Sequence, residues 1–379
     1  MCIRDRGECE HILEKHGKVT GILTSAGAKI NTAALILCTG VYLKSRILIG
    51  DWQQASGPAG LMRAEGLSNS LKELGFTLMR FKTGTPARLL GKSIDYSKMQ
   101  RQDGDMPMQA FSFLTPERDM EQTPCYLTYT NEATHEVIRA NLHRSPMYAG
   151  VIEGTGARYC PSIEDKIVRF KGKDRHQVFI EPEGLSTSEM YVQGMSTSLP
   201  ADVQLQALRT IRGLEKCEVA RFGYAIEYDC IDPTALSATL SKKDIEGLYC
   251  AGQINGTSGY EEAAGQGLYA AINAANWLLG KAPFLLSRSD AYIGVMVDDL
   301  TIKGVDEPYR MDYDVNIIAD NDIVRVDFKS SPFKLYSLEG KMVEAKTVIV
   351  ATGARANYLG TVSYPHLRAH ETPEHLVCR

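Results

Sequence analysis

The chain has 379 residues, with 42 Lys and Arg against 46 Asp and Glu, for a net charge of −4. That length allows two or three domains with a sizeable core. The charge excludes the overall signature of a nucleic-acid-binding protein while leaving room for a local basic patch.

A hydrophobic share of 44% and 33 glycines fit an ordinary α/β protein. No apolar run reaches the length of a membrane span, and Met1-Cys-Ile-Arg-Asp-Arg6 is not a signal peptide. The nine cysteines form no C-x-x-C pair and no metal-ligand spacing. An odd, scattered count argues for a reducing compartment, by default the cytoplasm, and no metal site is expected.

In chain order, Val19–Leu23 reads as a strand and Gly27–Ile30 as its return. Ala33–Gly40 reads as a buried strand ending in Thr-Gly. Gly66 to Leu74 reads as a helix stopped by Gly75, and Phe76–Phe81 as the following strand. From Lys82 to about Leu240, prolines, aromatics and short strand signals replace strand-helix alternation. Met99–Pro124 is loop-rich, Asn131 caps a helix to about Leu142, and Val203–Thr210 is a second helix. Val178–Glu181 and Tyr224–Tyr228 read as strands. Ile245–Ala251 reads as a buried strand that breaks at Gly252, passes Gly256 and Gly259, and enters a helix over 261–279. Ala291–Asp299 opens a further element. Ile323–Phe328, Phe333–Ser337 and Thr347–Gly353 carry strand signals, the last ending in a second Ala-Thr-Gly.

The strand–glycine loop–helix at 245–279 is the main chemical signal. Such a loop lets backbone N–H groups approach a ligand, and the helix start adds partial positive charge. It suits a phosphate or a flavin ring whose reduced form is negative near N1. Glycine spacing alone equally allows a ligand-free turn.

Long blocks in order carry a resemblance over about 7–311. They include Lys82-Thr-Gly-Thr-Pro86, Asn141-Leu-His-Arg-Ser-Pro-Met-Tyr148 and Arg158-Tyr-Cys-Pro-Ser-Ile-Glu-Asp-Lys166. Gly223-Tyr-Ala-Ile-Glu-Tyr228, Ala251-Gly-Gln-Ile-Asn-Gly-Thr257 and Gly259-Tyr-Glu-Glu-Ala-Ala264 continue the series. Together they resemble the tRNA uridine-5-carboxymethylaminomethyl modification enzymes, the GidA or MnmG family. The chain begins downstream of the ADP-gripping strand and glycine loop with which that family opens, and after Met311 it departs from the family pattern. Residues 320–360 resemble a piece of a thioredoxin reductase, without its C-x-x-C. Met1–Arg6 and Ser363–Arg379 resemble translated sequencing-adapter sequence.

The resemblance implies an α/β fold: an incomplete FAD-binding, Rossmann-like (two-dinucleotide-binding) domain with an inserted α+β domain and a short, foreign C-terminal β segment. The expected divisions are 7–82 for the first part of the FAD domain and 83–240 for the inserted NADH and substrate domain. Residues 241–285 complete the FAD domain, 286–311 start a truncated C-terminal region, and 312–360 are the reductase-like piece. Residues 1–6 and 363–379 are expected to be artefacts of assembly.

Cys160 is the candidate nucleophile. Arg158 and Lys166 nearby can lower a thiol pKa, and Pro161 at a helix start would add the helix dipole. From the residues alone a structural cysteine is the commoner reading, and it is the one given to Cys38, Cys125, Cys217, Cys230 and Cys250, all expected buried. The resemblance implies that Cys160 attacks C6 of the target uracil. It also implies NADH binding over Gly156, Arg158, Tyr159, Pro161, Ser162, Glu164, Asp165 and Lys166. FAD contacts are expected from Gly252, Gln253, Asn255, Gly256, Gly259 and Glu261, with Gln253 and Asn255 projecting from the loop. Glu261 and Glu262 equally read as acids complementing the helix dipole. Arg169, Lys171, Lys173 and Arg175, with Arg80, Lys82, Arg88 and Lys92, are a candidate tRNA-phosphate patch, against a plain solvated loop.

By resemblance, the activity is carboxymethylaminomethylation of the tRNA wobble uridine. It would use FAD, NADH and methylenetetrahydrofolate as carbon donor, with an MnmE-type GTPase, a homodimer and a hetero-tetramer as assemblies. Rivals are a folate- and FAD-dependent tRNA uracil-5-methyltransferase, a flavin disulfide reductase, and an inactive chimeric fragment.

Overall fold

The computed structural model describes residues 7–106, 108, 115, 122–157, 161–311, 323–327, 333–337 and 342–345. The chain divides into two compact units, residues 1–100 with 127–311, and residues 101–126 with 312–379. The expected strand Thr347–Gly353, both adapter-like ends and most of 107–121 lie outside the described residues. Among the described residues no helix is long and apolar enough to cross a membrane.

The first unit opens with an antiparallel meander, Cys9–Lys15, Lys18–Thr24 and Lys29–Asn31. Its first turn is the pair His16-Gly17, both at positive φ, 55° and 76°. That twist matches the flanking strands, and glycine takes it without steric cost.

A parallel pair follows, in which Leu35–Leu37 runs beside Leu248–Cys250 with Leu35 opposite Leu248 and Leu37 opposite Cys250. Both strands are shorter than the apolar runs that encode them. The long helix Tyr260–Leu278 packs on this pair through Tyr269, Ala270 and Ala274. Leu43, Leu71, Phe76, Leu240 and Ile254 complete the same buried cluster. Helix Leu67–Glu73 ends as its sequence predicts, with Gly75 at φ 78° just beyond it.

A mixed sheet takes Thr155–Gly156, Leu78–Thr85, Tyr224–Ile231, Arg46–Ile49 and Trp52–Gln54 in that order. Leu78–Thr85 runs past Phe81, where the sequence ended it, because Tyr224–Ile231 offers eight antiparallel partners from Ile231–Leu78 to Tyr224–Thr85. A largely antiparallel sheet orders Val219–Arg221, Arg88–Leu90, Glu189–Gln193, Gln177–Pro182 and Cys125–Tyr129. Helices Glu132–Ala140, Ile163–Arg169 and Ala201–Leu208 accompany it. Asn131 caps the first of these in a reciprocal box with Thr134.

The α/β class is met. In the second unit, Ile323–Asp327, Phe333–Ser337 and Met342–Ala345 form an antiparallel three-stranded sheet. The expectation of buried cysteines needs correction at two positions. Cys217, Cys230 and Cys250 are buried, but Cys125 is half-buried and Cys38 is exposed. Cys38 lies one residue beyond the last ladder pair of Leu35–Leu37, where the strand has left its neighbour.

Candidate functional site

The two parallel strands end side by side, at Cys38–Gly40 and at Ala251–Gln253. Gly252 adopts φ 87°, ψ −146°, a region open essentially to glycine alone. Its positive φ turns the chain out of the strand into the short 3-10 turn Gln253–Asn255. Gly256, at φ 82°, ψ 14°, closes that turn in the left-handed region. Gly259 has ordinary φ, and a Cβ there would lie 1.5 Å from Glu262 Oε2, so a larger residue would require the Glu262 carboxylate to move.

The loop is held from beneath by Gln266, whose side chain is fully buried. Its Oε1 accepts the Gly252 N–H at 3.2 Å and the Asn255 amide at 2.9 Å, while its Nε2 donates to Thr257 Oγ1 at 3.0 Å. The expectation that Asn255 projects is not met. It is fully buried, and its Nδ2 also donates to Cys250 O at 2.8 Å. Gln253 is half-buried, and a Cβ on Gly40 would sit 3.8 Å from its Oε1, so the two strand ends face each other. Glu261 is exposed, whereas Glu262 turns inward and accepts the Met311 N–H at 2.9 Å. Two buried oxygens at these strand ends, Thr39 Oγ1 and Asn255 Oδ1, have no hydrogen-bond partner among the described residues.

A second constellation surrounds Glu227, in the middle of Tyr224–Ile231. Its carboxylate is wholly buried. Oε1 accepts the N–H groups of Glu153 and Gly154 at 2.6 and 2.7 Å, and Oε2 meets Arg46 Nη2 at 2.5 Å. Arg46 also donates to Val151 O at 3.2 Å. Burial pushes the Glu227 carboxyl up, but the Gly154 N–H, the Arg46 guanidinium and the Glu153 N–H together outweigh it and hold it below the usual carboxylate range. The strap 151–154 is thereby fixed before Thr155–Gly156, which pairs in parallel with Phe81–Lys82. Gly154 is required there because a Cβ would come within 2.8 Å of the Phe81 backbone.

Arg158, Tyr159 and Cys160 lie outside the described residues. The candidates that follow them are mostly committed to the fold. Helix Ile163–Arg169 has Ser162 as its N-cap, accepting the Asp165 N–H, so Pro161 precedes the cap and does not open the helix as expected. Glu164 is fully buried, with Oε1 accepting the Ser198 N–H at 3.2 Å and Oε2 unpartnered among the described residues. Burial pushes its carboxyl up. Asp165 accepts from the Tyr148 hydroxyl at 3.3 Å, and Lys166 donates to Gly194 O at 3.4 Å. Gly156 is the last residue of its strand.

The basic candidates separate into two groups. Arg80 is paired with Asp229 at 2.9 Å and Arg88 with Glu183 at 2.9 Å, so both are tied into the fold. Lys92, Arg169, Lys171, Lys173 and Arg175 are exposed. Arg175 stacks on the Tyr129 ring at 4.3 Å. Sequence reasoning missed Gln266, Glu227 and Arg46. The available signal was a polar residue on a buried helical stripe and a carboxylate inside the apolar strand Tyr224-Ala-Ile-Glu-Tyr228.

Residues 5–282 match the family model described as glucose inhibited division protein A. The tRNA uridine 5-carboxymethylaminomethyl modification enzyme MnmG of Clostridium botulinum (strain Loch Maree) is 60% identical over 294 residues, covering 78% of this chain and 47% of that protein. The protein of the same name from Bacillus subtilis is 57% identical over 306 residues, covering 81% and 49%. A solved structure, Aquifex aeolicus GidA in its form I crystal, superimposes with a TM-score of 0.75 at 51% identity, over 80% of this chain and 52% of that one. The chain thus spans about half the length of the curated relatives it matches. With more than half of its residues matched by the family model and this identity over most of its length, the chain belongs to the GidA (MnmG) family.

Proposed function

We propose that this chain carries the flavin-ring and uracil-handling part of an enzyme that installs a carboxymethylaminomethyl group at C5 of a tRNA wobble uridine. The observation that carries the reading is the 60% identity to an enzyme of that name, over a stretch that includes the glycine loop at 252–259. In this reading 83–240 is the inserted domain for NADH and substrate, and 7–82 with 241–285 is the FAD domain. The enzyme works in the cytoplasm with an MnmE-type GTPase, as a homodimer within a hetero-tetramer.

The residues at the paired strand ends fit FAD. Gly252 and Gly256, both at positive φ, turn the buried loop at the strand ends, and among the described residues the Thr39 hydroxyl and Asn255 Oδ1 there have no hydrogen-bond partner, which leaves both able to bond a ligand. Gln253 faces Gly40 across the same opening and would hold the flavin there, with Gly259 and the exposed Glu261 at the helix start. FAD would supply the redox chemistry that processes the transferred carbon, NADH the electrons, and methylenetetrahydrofolate the carbon.

Cys160 is the proposed nucleophile toward C6 of uracil. Its thiolate sulfur bonds to C6, and the displaced π pair moves to C5 as an enolate, making C5 able to attack an electrophilic carbon. The Arg46–Glu227 clamp fixes the strap that leads toward it. Gly156, Arg158, Tyr159, Pro161, Ser162, Glu164, Asp165 and Lys166 are the proposed NADH contacts, and Arg169, Lys171, Lys173 and Arg175 the proposed contacts to tRNA phosphates.

The test supplies the 379-residue protein with tRNA, FAD, NADH, methylenetetrahydrofolate, glycine and the GTPase partner, then analyses tRNA nucleosides by mass spectrometry. Carboxymethylaminomethyluridine is expected. 5-Methyluridine would replace the reading with the folate-dependent methyltransferase. A colourless protein that takes up no FAD would sink any claim of activity for this chain.

A further inference from the structure

Two buried imidazoles meet where three elements of the first unit join. His135 lies on helix Glu132–Ala140. His176 ends the loop 170–176, which leads from helix Ile163–Arg169 into strand Gln177–Pro182. The two rings stand 5.4 Å apart, tilted by 44°, with 1% of His135 and 9% of His176 exposed.

Thr130, which follows Tyr129, ties the pair together. Its N–H donates to His176 O at 2.9 Å, and its Oγ1 accepts the His176 N–H at 2.8 Å. The same Oγ1 lies 2.8 Å from His135 Nε2, a hydrogen bond that either neutral tautomer can make. The end of the loop is thereby fastened to Thr130 and, through it, to the helix.

This arrangement suits neutral rings. His176 Nε2 is buried and has no hydrogen-bond partner among the described residues. An imidazolium carries a donor at both ring nitrogens, so a proton on His176 would leave one N–H buried and unmet. The surrounding charges act in the same direction. Burial first, then Lys166 on the preceding helix, His135, and Lys173 on the loop hold His176 down to about 4. At His135, burial and Arg139 lower the pKa and prevail over the opposing pull of Glu132 and Asp174.

We propose that His135, Thr130 and His176 form a proton-operated latch, which holds the loop 170–176 at neutral pH and opens it when the pair takes up protons in mild acid. The loop carries the exposed Lys171, Lys173 and Arg175, so opening displaces the basic run and lifts Arg175 from the Tyr129 ring. Both rings bind protons less readily in the latched form than in an open chain, where histidine titrates near about 6.5. The latch is therefore at full strength above that pH and weakens as pH falls toward about 4. The proposal requires neither flavin nor RNA and is independent of the tRNA-modification reading.

The test is hydrogen exchange at the Thr130 and His176 amides of the 379-residue protein, from about pH 7.5 to about pH 5, with the intrinsic exchange rate divided out. Below about pH 6.5, protection there should fall about tenfold per pH unit if one ring charges on opening, and up to about a hundredfold if both do. Amides of Leu78–Thr85 and Tyr224–Ile231 should stay protected. His135→Gln, whose amide can still bond Thr130, and His176→Gln should each flatten the slope by about tenfold per pH unit where both rings contribute. A second readout uses the unsubstituted protein and stands even where a variant does not fold: two histidine C2–H resonances in NMR should titrate below the free-histidine range. Protection independent of pH, one slope shared by parent and both variants, loss of protection across the whole unit at once, or two rings titrating as free histidine overturns the proposal.

Discussion

Arg46 and Glu227 stand 181 residues apart in sequence and meet at 2.5 Å, with Glu227 wholly out of solvent. The pair joins two strands of one sheet and anchors the strap at 151–154 through both ends of the carboxylate. Replacing Glu227 by Gln leaves Arg46 partly exposed, with Gln53 and Val151 as its remaining partners, and removes charge-assisted hydrogen bonds worth about 1.5–3 kcal/mol. Glu227→Gln should therefore destabilise the first unit strongly, read as a fall in the urea midpoint without a large change in slope. A cost below about 1 kcal/mol would mean the pair behaves as a solvent-exposed bridge. The depressed Glu227 carboxyl contributes stability that is present above the usual carboxylate pKa and is lost as pH falls through its lower folded value. The variant should lose this acid dependence.

Glu164 works in the opposite direction. Burial raises its pKa, so its folded form is favoured below the usual carboxylate pKa and loses stability as pH rises through the raised value. Glu164→Gln keeps an oxygen for the Ser198 N–H and removes the charge. The melting temperature of Glu164→Gln should exceed that of the parent at pH 8, and the gap should narrow toward pH 5. The gain comes from the buried charge alone, since the amide keeps a polar atom where the unpartnered Oε2 lies. A gap that is flat with pH would show that Glu164 keeps its charge through some further contact.

Gln266 is the support of the glycine loop. Gln266→Leu strands the Gly252 N–H and removes one partner each from Asn255 and Thr257. Leaving a buried donor unpaired costs about 1–3 kcal/mol. The loop should lose its shape before the fold does. Flavin uptake, followed by absorbance, should drop further than the melting temperature does, and uptake equal to wild type would remove Gln266 from the site's support.

The glycine loop was legible because two features coincide in its sequence, an apolar strand and glycines at a strand-to-helix change. Its consequence for Asn255 was not. The side chain's direction depends on Gln266, eleven residues on, and no local pattern shows that an amide there is spent inward. The same limit hid Glu227, whose partners come from 46 and from 153–154. Strand lengths erred wherever pairing decided them, as at Leu78–Thr85. Pro161 stands one residue before the cap instead of at the first helical position, because Ser162 supplies the capping hydroxyl.

The exposed basic run makes two separable claims. Arg175 packs its guanidinium on Tyr129, so Arg175→Ala should cost stability even without tRNA, by about 0.5–1 kcal/mol. Lys171 is exposed and its helix has already ended at Arg169, so Lys171→Ala should leave the melting temperature unchanged. Charge reversal at Lys171 and Lys173 addresses the other claim. If both meet phosphates, the slope of log affinity against log salt for tRNA should fall by about 1 per residue, with little effect on melting. Lys173 also lies over the Phe170 ring at 5.6 Å, a contact weak and exposed enough to leave the fold intact when lost. Equal slopes for parent and double variant would make this stretch a solvated loop and move the search for the tRNA face to Lys92 and the Gly91–Ser93 turn that carries it.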